Sequence, residues 1–138
     1  MKIKGWTGIV GVAVLTAGWL VSGQLRAETK SGDGYTLEDF RLHTAADLVN
    51  ICTLGQNHPD HETARGFCYG FFEGGAHYHD TISTSPSYQE IVCDPPETTR
   101  TEAVEVFITY VRANPRYASD TPINTIFRAL VAKWPCEE

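Results

Sequence analysis

Apolar residues recur at helical spacing in three stretches of the chain and form one nearly unbroken run at its start. The clearest periodic stretch has Val104, Phe107, Ile108 and Val111 at i, i+3, i+4 and i+7, one face of a helix. Thr99-Arg100-Thr101-Glu102 ahead of it has the form of a capping box, and Asn114-Pro115 stops it. A second stretch opens with Thr121 at the N-cap and Pro122 at the first helical position. Ile123, Ile126, Phe127, Leu130, Val131 and Trp134 then mark one face for three turns, and Pro135 ends it. A shorter helix is predicted from Thr44, with Asp47 in the capping-box position and Leu48, Ile51 and Cys52 on one side, ending at Gly55.

Between these lies Gly66-Phe67-Cys68-Tyr69-Gly70-Phe71-Phe72-Glu73-Gly74-Gly75-Ala76. Gly66, Gly70 and Gly74 recur every fourth residue, so a helix over Glu62–His79 places them in one smooth stripe. Each interior glycine costs a helix about 1 kcal/mol relative to alanine. The helical reading therefore requires compensation, and a stripe that lets another backbone approach closely, beside Phe67, Phe71 and Tyr78, would supply it. The competing reading is a glycine-rich loop with aromatics. No strand-like alternation of any length competes with the helices. The predicted fold is all-α, a small four-helix domain with an irregular connection over 80–97 that carries Ser83, Ser85, Pro86, Ser87, Pro95 and Pro96.

The apolar run at the start, Ile9 to Val21, follows Lys2 and Lys4 and reads as the h-region of a signal peptide, with cleavage after Gly23 or Ala27. An uncleaved N-terminal membrane anchor is the alternative. The expected organisation is a signal or anchor over 1–27, a polar linker over 28–41 and the helical domain over 42–138. In either case the domain is exported, and this changes the meaning of its four cysteines, Cys52, Cys68, Cys93 and Cys136. An even count in an oxidising compartment reads as two disulfides. Zinc is disfavoured, because no C-x-x-C pair exists. Loss of residues 1–27 removes Lys2, Lys4 and Arg26 from 11 basic residues and nothing from 17 acidic ones, leaving 8 against 17 and a net charge of −9. Such a surface argues against nucleic acid or anionic lipid and suits a basic protein partner.

Chemistry-bearing motifs are scarce. The chain has no nucleophile elbow, P-loop, H-E-x-x-H or dinucleotide fingerprint, so no catalytic residue, cofactor or metal is predicted. His58 and His61 precede the glycine helix, while His77, His79 and Asp80 close it. The two groups lie about 25 Å apart at 1.5 Å per residue and cannot share a metal within one chain. They read instead as helix-end residues and, with Tyr88, as candidate contacts for a protein partner. Glu73 among aromatics is a lone carboxylate, read as solvent-facing. A homodimer stays open, and membrane contact arises only if the leader is retained.

Taken together, Leu48-x-x-x-Cys52, Cys68-Tyr69-Gly70-Phe71-Phe72-Glu73-Gly74, Cys93-Asp94-Pro95-Pro96, Asn114-Pro115 and the closing Trp134-Pro135-Cys136 resemble the Rap/Tai-type immunity proteins. These are small periplasmic helical proteins of Gram-negative bacteria, and the resemblance covers about residues 42–138. It implies a periplasmic protein that binds a cell-wall amidase effector delivered by type VI secretion and obstructs its active site. The loop around His58 and His61 and the stretch 82–92 match no motif of the family. An acid-stress periplasmic chaperone, also helical and disulfide-linked, and a structural envelope protein with no toxin partner are the alternatives. Helix geometry ranks the disulfide pairings: Cys52 ends the first helix close to Cys68 in the second, and Cys93 precedes the third helix while Cys136 ends the fourth. The predicted pairs are Cys52–Cys68 and Cys93–Cys136.

Overall fold

The computed structural model describes residues 34–137. The predicted signal or anchor segment lies outside them. Four helices follow in order: α1 (Ala45–Cys52), α2 (His61–Ser83), α3 (Arg100–Ala113) and α4 (Pro122–Lys133). Short 3-10 turns occur at Leu37–Arg41 and Pro115–Tyr117. Among the described residues extended pairing is limited to one isolated bridge between Val92 and Pro135.

Helix starts follow their predicted chemistry in part. Thr44 and Asp47 form a reciprocal capping box, with Asp47 N–H donating to Thr44 Oγ1 at 3.3 Å and Thr44 N–H to Asp47 Oδ2 at 2.8 Å. Two further N-terminal donors of α1 reach the loop before α4, Ala45 N–H to the Asp120 carbonyl at 2.7 Å and Ala46 N–H to that of Ala118 at 3.0 Å. At α3 half of the capping box forms: Glu102 N–H donates to Thr99 Oγ1 at 3.2 Å. Thr121 occupies the N-cap of α4 without a side-chain capping bond, and Pro122 follows at N1. Helix α2 runs four residues past the expected end at His79. Its last turns carry hydroxyls that bond back to carbonyls four residues earlier, Thr81 to His77 and Ser83 to His79, both at 2.7 Å. These bonds are compatible with helical geometry, so small polar residues do not end the helix here.

One core fills the space between the helices. Phe107 and Leu48 are fully buried, Ile51 and Cys68 nearly so, and Ala64, Phe72, Val104, Val111, Ile126 and Ala129 pack with them. Burying a side chain such as Phe107 or Leu48 contributes about 1.5–3 kcal/mol. Two expectations are corrected. Helix α4 turns part of its predicted face inward, with Ile126 and Trp134 buried, but Thr125 and Ala129 are buried beside them while Ile123 is 37% exposed. Small residues at 125 and 129 let α4 approach α1 and α3, and Thr125 tolerates burial because its hydroxyl donates to the Thr121 carbonyl at 3.1 Å.

The second correction concerns the glycine stripe. Gly66, Gly70 and Gly74 face solvent, and a Cβ added at any of them would meet nothing within 4 Å. The buried line of α2 is Ala64, Cys68, Phe72 and His79, on the opposite side. Among the glycines of α2 only Gly75 lies close to a neighbour, with Ile123 Cδ1 3.3 Å from where its Cβ would be. The helix is held by its apolar line and its disulfide, not by backbone contact along the glycines.

The stretch expected as linker also contributes structure where it is described. Tyr35 is 4% exposed and belongs to the core, and Phe40 packs edge-on against Phe67 at 4.9 Å. Asp39 closes a second capping box by accepting from Thr36 N–H at 2.6 Å. Two disulfides staple the frame, Cys52–Cys68 and Cys93–Cys136, as helix geometry predicted. Alongside the second one, Cys93 N–H donates to the Trp134 carbonyl at 3.0 Å.

Candidate functional site

Two regions gather the residues singled out in the sequence. The first is the turn between α1 and α2. The His58 ring lies against Tyr35 edge-on at 5.2 Å, and its Nδ1 accepts from Asp60 N–H at 3.1 Å. His61 Nδ1 sits 2.8 Å from the Leu54 carbonyl oxygen; a carbonyl can only accept, so this nitrogen carries the proton. Both side chains are mostly buried, at 24% and 19% exposure, and they organise the turn. Burial raises the pKa of the Tyr35 phenol above its ordinary value, and the nearby Asp60 carboxylate, which accepts its O–H at 3.5 Å, adds to the effect. Beside this turn, Tyr69 faces two guanidinium groups, Arg65 at 5.4 Å and Arg100 at 5.9 Å from its ring centre. Its hydrogen bond with the Thr101 hydroxyl, followed by Arg65, lowers its pKa from the ordinary value.

The second region is the C-terminal half of α2, where the expected cluster divides. His77 is exposed and lies 3.3 Å from Glu73. His79 is 5% exposed, packed between Phe127 at 5.4 Å and Tyr88 at 6.1 Å, with Nδ1 3.8 Å from Asp80 and no hydrogen-bond partner for Nε2. His77 and His79 therefore point to different environments, and Tyr88 covers the buried one. Glu73 has a partner that sequence reading missed. Arg100, 27 residues on, donates from Nε at 2.7 Å and lies 2.6 Å away through Nη2. Only its place inside the Thr99–Glu102 box hinted that Arg100 sits at a helix start, and nothing in the sequence tied it to Glu73.

Around this pair a cavity of about 210 Å³ opens between α2, α3, α4 and the segment before α3. Phe72, Ala76, Val92, Ala103, Phe127 and Leu130 give it an apolar lining. Glu73, Asp80, Asp94 and Arg100 supply its charged groups. Among the described residues the one group of metal-ligand type is Glu90, Cys93 and Cys136, and its two sulfurs are joined to each other, so neither is a thiolate ligand. No helix among the described residues is long and apolar enough to cross a membrane.

The fold and these surfaces define a class: a small all-α domain stapled by two disulfides, with a charged-rimmed hollow between its helices. The family follows from the sequence match. Residues 44–136, from the N-cap of α1 to the last cysteine, match the model of the Rap1a immunity proteins, and the chain belongs to that family. It is thus an immunity protein, a class whose members act by binding a protein effector. No curated protein and no solved structure matches the chain.

Proposed function

We propose that this protein is exported to the periplasm, loses its N-terminal segment as a signal peptide, and there binds and blocks a cell-wall amidase effector delivered by type VI secretion. The observation that carries the proposal is the family match over 44–136, which takes in all four helices and both disulfides. Two stapled disulfides suit an oxidising compartment. The role is stoichiometric binding without catalysis by this chain, and its acidic surface, with net charge −6 for the full chain, steers a basic partner toward it.

Contacts are assigned to the turn bearing His58 and His61 and to the C-terminal end of α2 with the connection that follows, where His77 is open to solvent. In that connection Tyr88 packs edge-on against the buried His79 and is the anchor of the loop.

The test is protection. The full chain is co-expressed with each cell-wall amidase carried beside type VI secretion genes in the same genome, the amidase being directed to the periplasm. Restored growth with one of them, together with a stable complex of the two purified proteins, is the expected result. If no amidase is neutralised, and deletion leaves cells as resistant to their neighbours as before, the reading is wrong.

A further inference from the structure

We propose that the cavity between α2, α4 and the segment leading into α3 is a preformed seat for one apolar side chain that a protein partner presents between basic residues. Its size sets the class of occupant. At about 210 Å³ it falls below the roughly 300–1,000 Å³ of small-molecule and cofactor pockets. It suits a single large side chain, and the lining of Phe72, Ala76, Phe127 and Leu130 is apolar.

Charge at the rim sets what flanks that side chain. Three carboxylates, Glu73, Asp80 and Asp94, stand against one guanidinium, Arg100. Arg100 is already held by Glu73 at 2.6 Å. Asp80 has only the His79 ring, at 3.8 Å, and Asp94 has no ion pair among the described residues. Two under-used carboxylates beside an apolar hollow are complementary to lysine or arginine on either side of an apolar residue. An inserted lysine or arginine alone fits less well, because its charged head would reach the apolar end while its stem crossed the acidic rim.

The seat is also rigid. Three helices form most of its walls, and the Cys93–Cys136 disulfide fixes the chain between Val92 and Asp94 that forms another. A preformed site loses less entropy on binding than one that must be ordered. The inference rests on the effector reading for the partner's identity, though the seat itself can be tested without it.

Three synthetic peptides, Lys-Phe-Lys, Lys-Ser-Lys and Glu-Phe-Glu, each blocked at both ends, are titrated into the purified isotope-labelled protein and followed by NMR. Lys-Phe-Lys is expected to give saturable shifts at Ala76, His79 and Phe127, and the other two none. Ala76→Phe, which plugs the hollow from an exposed helical position, should abolish the shifts, and Asp80→Asn with Asp94→Asn should weaken binding by about tenfold. The Asn pair removes charge at exposed positions, so it tests the seat even if Ala76→Phe misfolds. Equal shifts with Glu-Phe-Glu, or none with Lys-Phe-Lys up to its solubility, would overturn the proposal. In a second arm the same variants are tested for amidase neutralisation. A wild-type chain that neutralises no amidase while still binding Lys-Phe-Lys at the cavity defeats the effector reading and leaves the seat standing. Variants that fold and neutralise as well as wild type defeat the seat and leave the effector reading intact.

Discussion

Replacing Cys52 and Cys68 together by alanine tests how the glycine-rich helix is held. The disulfide spans a sequence separation of 16, and in the chain-entropy model a crosslink of that span stabilises by about 3 kcal/mol through the denatured state. Cys68 is 1% exposed and packs in the core, so removing its sulfur also leaves a small hole, which adds about 1 kcal/mol. The expected loss is about 4 kcal/mol, a large share of the roughly 5–15 kcal/mol that holds a domain together. Urea unfolding of the double variant against wild type, followed by far-UV circular dichroism and extrapolated to water, measures it. The Cys93–Cys136 pair spans 43 residues, so its loss should also come to about 4 kcal/mol, all of it through the denatured state because Cys93 is exposed. Timed alkylation under mild dithiothreitol separates the two: Cys93–Cys136 should open first, while the buried Cys68 sulfur protects the other pair. A loss below about 1 kcal/mol for Cys52→Ala with Cys68→Ala, or reduction of that pair first, would refute the claim that the crosslink and its burial hold α2.

Gly66→Ala, Gly70→Ala and Gly74→Ala should each stabilise the isolated protein by about 1 kcal/mol, read as a rise in melting temperature, because a new Cβ meets open space at all three. Destabilisation would mean that the stripe is packed after all. Thr44→Ala should cost about 1 kcal/mol in urea unfolding, since it removes the acceptor for Asp47 N–H at the start of α1; no change would show that the 118–120 loop alone holds that helix end. Stability should fall above pH 10 as the Tyr35 phenol ionises. Its folded pKa is raised by burial and then by Asp60, so the neutral form favours the folded state, and that contribution is complete below the unfolded pKa near 10 and lost as pH rises toward the higher folded value. Tyr35→Phe should flatten this alkaline slope in denaturation curves taken at successive pH values, and an unchanged slope would assign it to other groups.

The local signals for α1, α3 and α4 were readable in the chain because they act over one or two turns. Thr44 with Asp47, Thr99 with Glu102, Pro122 at N1 and the apolar positions at three and four residue spacing all work within a single helix. The disulfide pairing was readable for a related reason: once the helices are placed, Cys52 at the end of α1 lies close to Cys68 in the first half of α2, and Cys93 and Cys136 flank α3 and α4. What tertiary structure alone decided is which side of a helix is buried when two sides are both plausible. On α2 the glycines and the line Ala64, Cys68, Phe72, His79 are each regular, and the choice fell to the line that carries apolar area and the crosslink. On α4 the small residues Thr125 and Ala129 won the interior from Ile123, because close approach of helices rewards small side chains at the contact. The candidate site belongs to the same category. Glu73 and Arg100 meet across 27 residues, and the hollow beside them is bounded by residues from three helices and the segment before α3, a juxtaposition that no spacing along the chain encodes.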